Sequence, residues 1–237
     1  MSRRRGAWRT GLVVVLAVTG VAALPAAHAA ADAGPATAKL RADFNGDGYA
    51  DLAVGAPSGT VGGRTEAGYV AVLYGTAHGL STTGRKVFSQ NTAGVPGTAE
   101  KGDRFGSALT TADLDRDGYT DLIVGVGGED TASGGTDSGC LEVVWGGPRG
   151  LSGASSLATG RSAGDGLGAQ GHLTAADTDG IADIAVGAPG ENSGSGFVWS
   201  FRSSTATVVS PNGTTAFGSA VLGTDGTDAR LGSGFAY

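Results

Sequence analysis

Two nine-residue stretches of this chain place oxygen-bearing side chains at alternating positions. The first runs Asp43-x-Asn45-x-Asp47-Gly48-x-x-Asp51, and the second runs Asp113-x-Asp115-x-Asp117-Gly118-x-x-Asp121. Positions 1, 3, 5 and 9 supply carboxylates or an amide. Position 7, Tyr49 or Tyr119, supplies a backbone carbonyl, and the glycine at position 6 permits the sharp turn that brings that carbonyl round. Hard oxygen donors at this spacing suit Ca²⁺, which accepts roughly six to eight oxygens in flexible geometry. Solvated turns rich in Asp, Asn and Gly have a similar composition. Two copies with one spacing, each leading into the same apolar strand, point instead to metal, because such groups repel one another without a cation. The place of the bidentate Glu that closes an EF-hand is taken by Val54 and Val124, and the flanks read as strands rather than helices.

A third copy departs from the pattern. Anchored on Gly180 and Asp183, it has Ala175 at position 1, and its start is shortened by two residues. Asp177, Asp179, Asp183 and the carbonyl of Ile181 could still bind, more weakly than the two full loops.

The loops belong to a longer repeat. Equivalent glycines are 70 residues apart (Gly48 to Gly118) and then 62 apart (Gly118 to Gly180). A second segment recurs in phase, VAVLYGTAHGLS from Val70 and LEVVWGGPRGLS from Leu141, with a degraded copy at Phe197 to Phe201. A third marker, Phe105-Gly106-Ser107-Ala108, is echoed at Leu167-Gly168-Ala169 and at Phe217-Gly218-Ser219-Ala220. Each unit then reads as a short strand, an acidic loop, a buried strand ending in glycine, a polar loop, an aromatic-bearing strand, a Gly-x-x-x-Gly-Leu turn and a variable strand. Short β-branched runs closed by glycine, such as Leu122 to Gly125, are the signature of buried strands. A sheet of three or four short strands cannot bury both faces alone, so neighbouring copies must stack. Radial stacking gives a β-propeller. A linear β-solenoid has much shorter coils. The 45 glycines among 237 residues fit such a chain of strands and turns, because glycine is a poor helix former.

The FG…DxDxDGxxDLxVGAP arrangement resembles the FG-GAP repeats of integrin alpha subunits and of secreted bacterial integrin-like proteins. The resemblance covers Asp43 to about Ala220. It implies an all-β fold, a β-propeller with Ca²⁺ in its loops, and a role in adhesion or ligand binding. It assigns metal ligation to Asp43, Asn45, Asp47, Tyr49 and Asp51, and to Asp113, Asp115, Asp117, Tyr119 and Asp121. The family forms seven blades, whereas this chain divides into about three and a partial fourth, at about 43–104, 105–166, 167–216 and 217–237. The first unit lacks its FG strand, which the strand at Phe217 could supply. An open arc, a propeller completed by self-association with another copy, and a shortened descendant of a longer protein are the three outcomes to separate.

Residues 1–29 read as a secretory signal. Arg3, Arg4, Arg5 and Arg9 precede an apolar run from Gly11 to Leu24, and Ala27-His28-Ala29 offers a small-residue cleavage site. The run is too short for a spanning helix. Residues 30–42 form a linker, and 43–237 carry the repeats. The expected location is extracellular, with no transmembrane span. Removing residues 1–29 takes four arginines and no acid, leaving 12 basic against 22 acidic residues. That balance disfavours nucleic acid and favours cations. Cys140 is the only cysteine, so no intrachain disulfide staples an exported chain. Asn212-Gly213-Thr214 is a glycosylation sequon where the source modifies such sites.

Signals for catalysis are weak. Gly160-x-Ser162-x-Gly164 matches a nucleophile elbow, but it sits in a Gly/Ser loop with no helix pattern following. Gly166-x-Gly168-x-x-Gly171 matches a dinucleotide fingerprint without a βαβ unit. His78 and His172 belong to no metal or catalytic cluster. The expectation is therefore a non-catalytic, calcium-binding module for an extracellular protein or glycan. The alternative is an extracellular hydrolase or a domain attached to one.

Overall fold

The computed structural model describes residues 42–169, 173–177, 182–202 and 215–234. The signal at 1–29, nearly all of the linker, His172, Asp179, Ile181 and the sequon at 212–214 lie outside them. The described chain is almost wholly β. Its strands are β1 (Leu52–Ala56), β2 (Tyr69–Tyr74), β3 (Ser81–Phe88), β4 (Phe105–Ala112), β5 (Asp121–Val126), β6 (Cys140–Val144), β7 (Ala154–Thr159), β8 (Leu173–Asp177), β9 (Ala182–Ala188), β10 (Phe197–Phe201) and β11 (Thr215–Gly218). They form three antiparallel sheets: β1-β2-β3, β4-β5-β6-β7 and β8-β9-β10-β11. Sequence neighbours within each sheet are sheet neighbours throughout.

Two apolar layers hold the sheets together. Val70 and Val72 of the first sheet pack with Leu122, Val124, Val126 and Phe105 of the second. Ile123, Leu141 and Val143, from the other face of the second sheet, pack with Ile184, Val186 and Trp199 of the third. The central strand β5 is therefore buried on both faces, as its unbroken apolar run anticipates. The first sheet shows the contrast. Leu52 and Val54 occupy the register of Leu122 and Val124. They are 40% and 45% exposed, whereas Leu122 and Val124 are fully buried. Among the described residues nothing covers that face. The stack is an open, propeller-like array, not a closed one.

Main-chain contacts set the spacing between sheets. Gly55, Gly125 and Gly187 stand at one register position of β1, β5 and β9. A Cβ on each would strike the carbonyl oxygen of Gly106, Gly168 and Gly232 respectively. These three partner glycines adopt φ of 87°, 75° and 88°, a region that side chains rarely enter. The residue before each is also held by the preceding sheet's loop. Phe105 N–H donates to the Ala67 carbonyl at 2.9 Å, Leu167 N–H to Ser138 at 3.0 Å, and Leu231 N–H to Ser195 at 3.0 Å.

This series corrects one expectation. Phe217-Gly218 does not open a fourth unit and does not supply the first sheet's missing strand. It lies in β11, the outer strand of the third sheet, with Val198 opposite Phe217 and Phe197 opposite Gly218. The boundary at 216/217 therefore falls inside a sheet. The position equivalent to Phe105-Gly106 is Leu231-Gly232. What the junction requires is a glycine of positive φ facing the glycine of the preceding sheet, and Gly218 has no positive φ.

Candidate metal centre

The two full acidic loops lead directly into β1 and β5. In the second loop the carboxylates of Asp113, Asp115 and Asp117 come together, with one oxygen from each within 4.8 Å of the others. Asp113 is half-buried, and Asp115 and Asp117 face solvent. Although Asp115 is exposed, partial desolvation by the surrounding loop raises its carboxyl above the ordinary range. The Asp117 N–H opposes this shift, and the negative charges of Asp117 and Asp113 add to it. Anionic oxygens gathered this closely fit a hard divalent cation.

The loop backbone is wound onto its own side chains. Asp117 N–H donates to Asp115 Oδ1 at 3.1 Å, and Tyr119 N–H donates to Asp117 Oδ1 at 2.9 Å. The first loop repeats both bonds, from Asp47 N–H to Asn45 Oδ1 at 3.1 Å and from Tyr49 N–H to Asp47 Oδ1 at 2.9 Å. Asp43 accepts from Gly46 N–H at 2.8 Å and from Gly48 N–H at 3.1 Å. Asn45 Nδ2 also donates to Asp47 Oδ2 at 2.9 Å. The Tyr side chains do not enter the donor set. The Tyr119 ring lies against Gly46, so the second loop packs on the first. Thr120 N–H donates to the Asp43 carbonyl at 3.1 Å, which joins the two loops through their backbones.

Asp51 and Asp121, at position 9, make contacts that the spacing alone did not disclose. Each carboxylate clasps two backbone N–H groups from separate segments. Asp51 accepts from Phe44 at 2.8 Å and from Gly75 at 2.8 Å. Asp121 accepts from Leu114 at 2.8 Å and from Gly146 at 2.9 Å. The clasp joins the start of the loop to the Gly-x-x-x-Gly-Leu turn that follows the neighbouring strand, β2 or β6. Burial pushes Asp121 up to about 6, against the lowering effect of its two N–H donors. A carboxylate has about four acceptor sites, so the clasp leaves capacity for a cation.

Of the third loop, Asp177 closes β8 and Asp183 is a half-buried residue of β9. Asp179 and Ile181 fall outside the described residues.

The loops differ at position 4. Gly46 has φ 69°, and Arg116 is forced into the same left-handed region at 64°. Arg116→Gly should therefore raise stability by about 0.5–1 kcal/mol, read as a higher urea midpoint.

Other polar candidates occupy structural positions. Ser162 is exposed in a turn, where its N–H donates to Asp165 Oδ2 at 2.8 Å. His78 is exposed in the turn after β2. Cys140 is buried, and burial pushes its thiol well above the ordinary range, so it packs as an apolar residue.

The FG-GAP repeat family matches residues 41–73, 105–140 and 177–201, the segments that hold the loops and their buried strands. The chain carries FG-GAP repeats. Relatives extend this pattern. Mouse phosphatidylinositol-glycan-specific phospholipase D is 40% identical over 84 residues, covering 35% of this chain and 10% of that protein. Chicken integrin alpha-V is 37% identical over 91 residues, covering 38% of this chain and 8% of that protein. Human integrin alpha-IIb is 40% identical over 87 residues, covering 36% and 7%. The chain thus matches about a tenth or less of the length of these relatives. Among its described residues no helix is long and apolar enough to cross a membrane.

Proposed function

We propose that this chain is a secreted, calcium-loaded binding module that engages an extracellular protein or glycan and catalyses no reaction. The observation that carries the proposal is the convergence of Asp113, Asp115 and Asp117 in a loop whose backbone course is repeated at Asp43 to Asp51. Ca²⁺ would be held by the side chains of Asp43, Asn45, Asp47 and Asp51 with the Tyr49 carbonyl. In the second loop it would be held by Asp113, Asp115, Asp117 and Asp121 with the Tyr119 carbonyl. Asp177, Asp179, Asp183 and the Ile181 carbonyl would form a weaker third site. The role of the metal is structural. It neutralises clustered charge and fixes the loops through which neighbouring sheets touch. Residues 1–29 would direct export and be removed near Ala29.

A loop that binds only in the folded state stabilises it by about 2.7 kcal/mol when free Ca²⁺ exceeds Kd a hundredfold. The melting temperature should rise with Ca²⁺ and fall with chelator, and Asp115→Asn with Asp117→Asn should remove most of the second loop's share. Identical melting curves in calcium and in chelator would sink the metal reading. The match to a phospholipase D favours a second reading, a domain attached to an extracellular hydrolase. Turnover of a phosphodiester substrate by the purified chain would favour it over the non-catalytic module.

A further inference from the structure

The junctions between sheets can be compared position by position, because the register repeats. In the first junction the outer strand β3 sets Phe88 opposite Val70, and Val70 pairs with Gly55. In the second junction the outer strand β7 sets Ala158 opposite Leu141, and Leu141 pairs with Gly125. Ala158 therefore stands where Phe88 stands, and two residues on, Gly160 stands where Gln90 stands. Phe88 and Gln90 are both buried, and Gln90 Nε2 donates to Glu129 Oε2 at 2.6 Å. They fill the first junction. Their replacements leave a cavity of about 280 Å³ in the second.

The walls of that cavity carry specific chemistry. Trp199 takes the register position that Glu142 holds one sheet earlier, since Val186 pairs with Trp199 and Val124 with Glu142. Leu167 forms an apolar wall, and Arg161, Asp165 and Glu191 line the polar part. The Arg161 guanidinium lies 4.1 Å from the Trp199 ring centroid. Trp199 Nε1 donates to Glu191 Oε2 at 2.7 Å, which fixes the indole and the carboxylate together. Asp165 is buried, and its Oδ2 accepts from Arg161 N–H at 3.1 Å and from Ser162 N–H at 2.8 Å.

This lining selects by chemistry. An anion meets Asp165 and Glu191, and a cation meets Arg161. A wholly apolar guest strips water from three charged groups and returns no hydrogen bond. A neutral ring bearing several hydroxyls offers donors to the carboxylates, acceptors to the guanidinium, and C–H faces to Trp199 and Leu167. The volume of about 280 Å³ lies just below the roughly 300–1,000 Å³ range of small-molecule sites, which suits one ring and not a chain. We propose that this recess, hollowed by Ala158 and Gly160 between the second and third sheets, binds one pyranose unit of a glycan. The proposal rests on reading the chain as an extracellular binding module and names the ligand class and the site.

Calorimetric titration of the calcium-loaded chain with the methyl pyranosides of glucose, galactose, mannose and N-acetylglucosamine, and with phenol, tests it. At least one pyranoside should bind with a millimolar Kd. Ala158→Phe, which copies Phe88, should weaken that binding at least tenfold while the melting temperature holds or rises. If Ala158→Phe does not fold, Glu191→Gln should weaken the same sugar several-fold. Binding of phenol alone, no binding of any pyranoside, or unchanged sugar affinity in the folded variant overturns the site. Adhesion to immobilised glycans and matrix proteins, measured on the same samples, separates the two levels. A wild-type chain that adheres without binding a pyranoside loses the recess and keeps the module. One that does neither loses both.

Discussion

Raising the pH from 6 to 8.5 should destabilise the wild-type protein far more than its Glu142→Gln variant. Glu142 sits in β6 among Cys140, Val143 and Val144, and only 2% of its surface is exposed. Burial pushes its carboxyl up to about 8, and the charge of nearby Glu129 adds to the shift. Glu129 is itself raised, first by burial and then by the charges of Asp103 and other acids, against the Gln90 bond that lowers it. Among the described residues one Glu142 oxygen, Oε2, has no hydrogen-bond partner, which a neutral carboxyl tolerates better than a carboxylate does. The sign follows from proton binding. The unfolded chain releases this proton near the ordinary Glu value of 4.5, and the folded chain keeps it to about 8. Between those limits the folded state holds more protons, so stability falls as pH rises and levels off above 8. At about 1.4 kcal/mol per pH unit, the loss between pH 6 and 8 is on the order of 3 kcal/mol. Urea titrations at stepped pH read it. Both proteins carry the Asp121 clasp, so the difference between them isolates Glu142. Parallel curves for the two proteins would exclude Glu142 as the titrating group.

Gly125→Ala should cost about 3 kcal/mol or more, the upper end of overpacking effects, because the obstacle is backbone. The added methyl would meet the Gly168 carbonyl of the third sheet and lie 3.0 Å from Ala108 Cβ. Neither can rotate away. Ser107 would be displaced as well, since its Oγ lies 2.9 Å from the Gly168 carbonyl and 3.1 Å from the Gly125 carbonyl, within donating distance of either. Gly118→Ala is the control. Its Cβ would meet no atom, and the cost is confined to its φ of 98°. A chemical melt that ranks Gly118→Ala below Gly125→Ala in stability would contradict the view that the sheets are spaced by their main chains.

Much of this was legible in the sequence because the repeat states each feature more than once. The order of strands within a unit, the buried run at Leu122 to Gly125 and the two full loops all follow from aligned copies. The last marker was misplaced for an instructive reason. Phe217-Gly218-Ser219-Ala220 repeats all four letters of Phe105 to Ala108, whereas Leu231-Gly232 repeats only the Leu-Gly of the degraded copy at Leu167-Gly168. The letters record an aromatic residue. The junction records a backbone conformation, which a one-dimensional pattern does not display. Asp51 and Asp121 were legible as loop residues, and their spacing matches the metal pattern. Their clasp on Gly75 and Gly146 was not, because those partners lie 24 and 25 residues away. Glu142 gave no periodic signal either. It is a single acid in an apolar strand, and only the packing of the first sheet against it shows that it is buried.

The bonds from Ala67 to Phe105, Ser138 to Leu167 and Ser195 to Leu231 tie the opening of each sheet to the loop of the one before. No unit owns all of its own fastenings. Unfolding should therefore obey nearest-neighbour statistics, in which each sheet has a modest intrinsic term and each junction a coupling term. The second sheet, coupled on both sides, should keep its amide protons longest in hydrogen exchange. A defect at one junction would lower the protection of the two sheets it joins and leave the far one nearly unchanged.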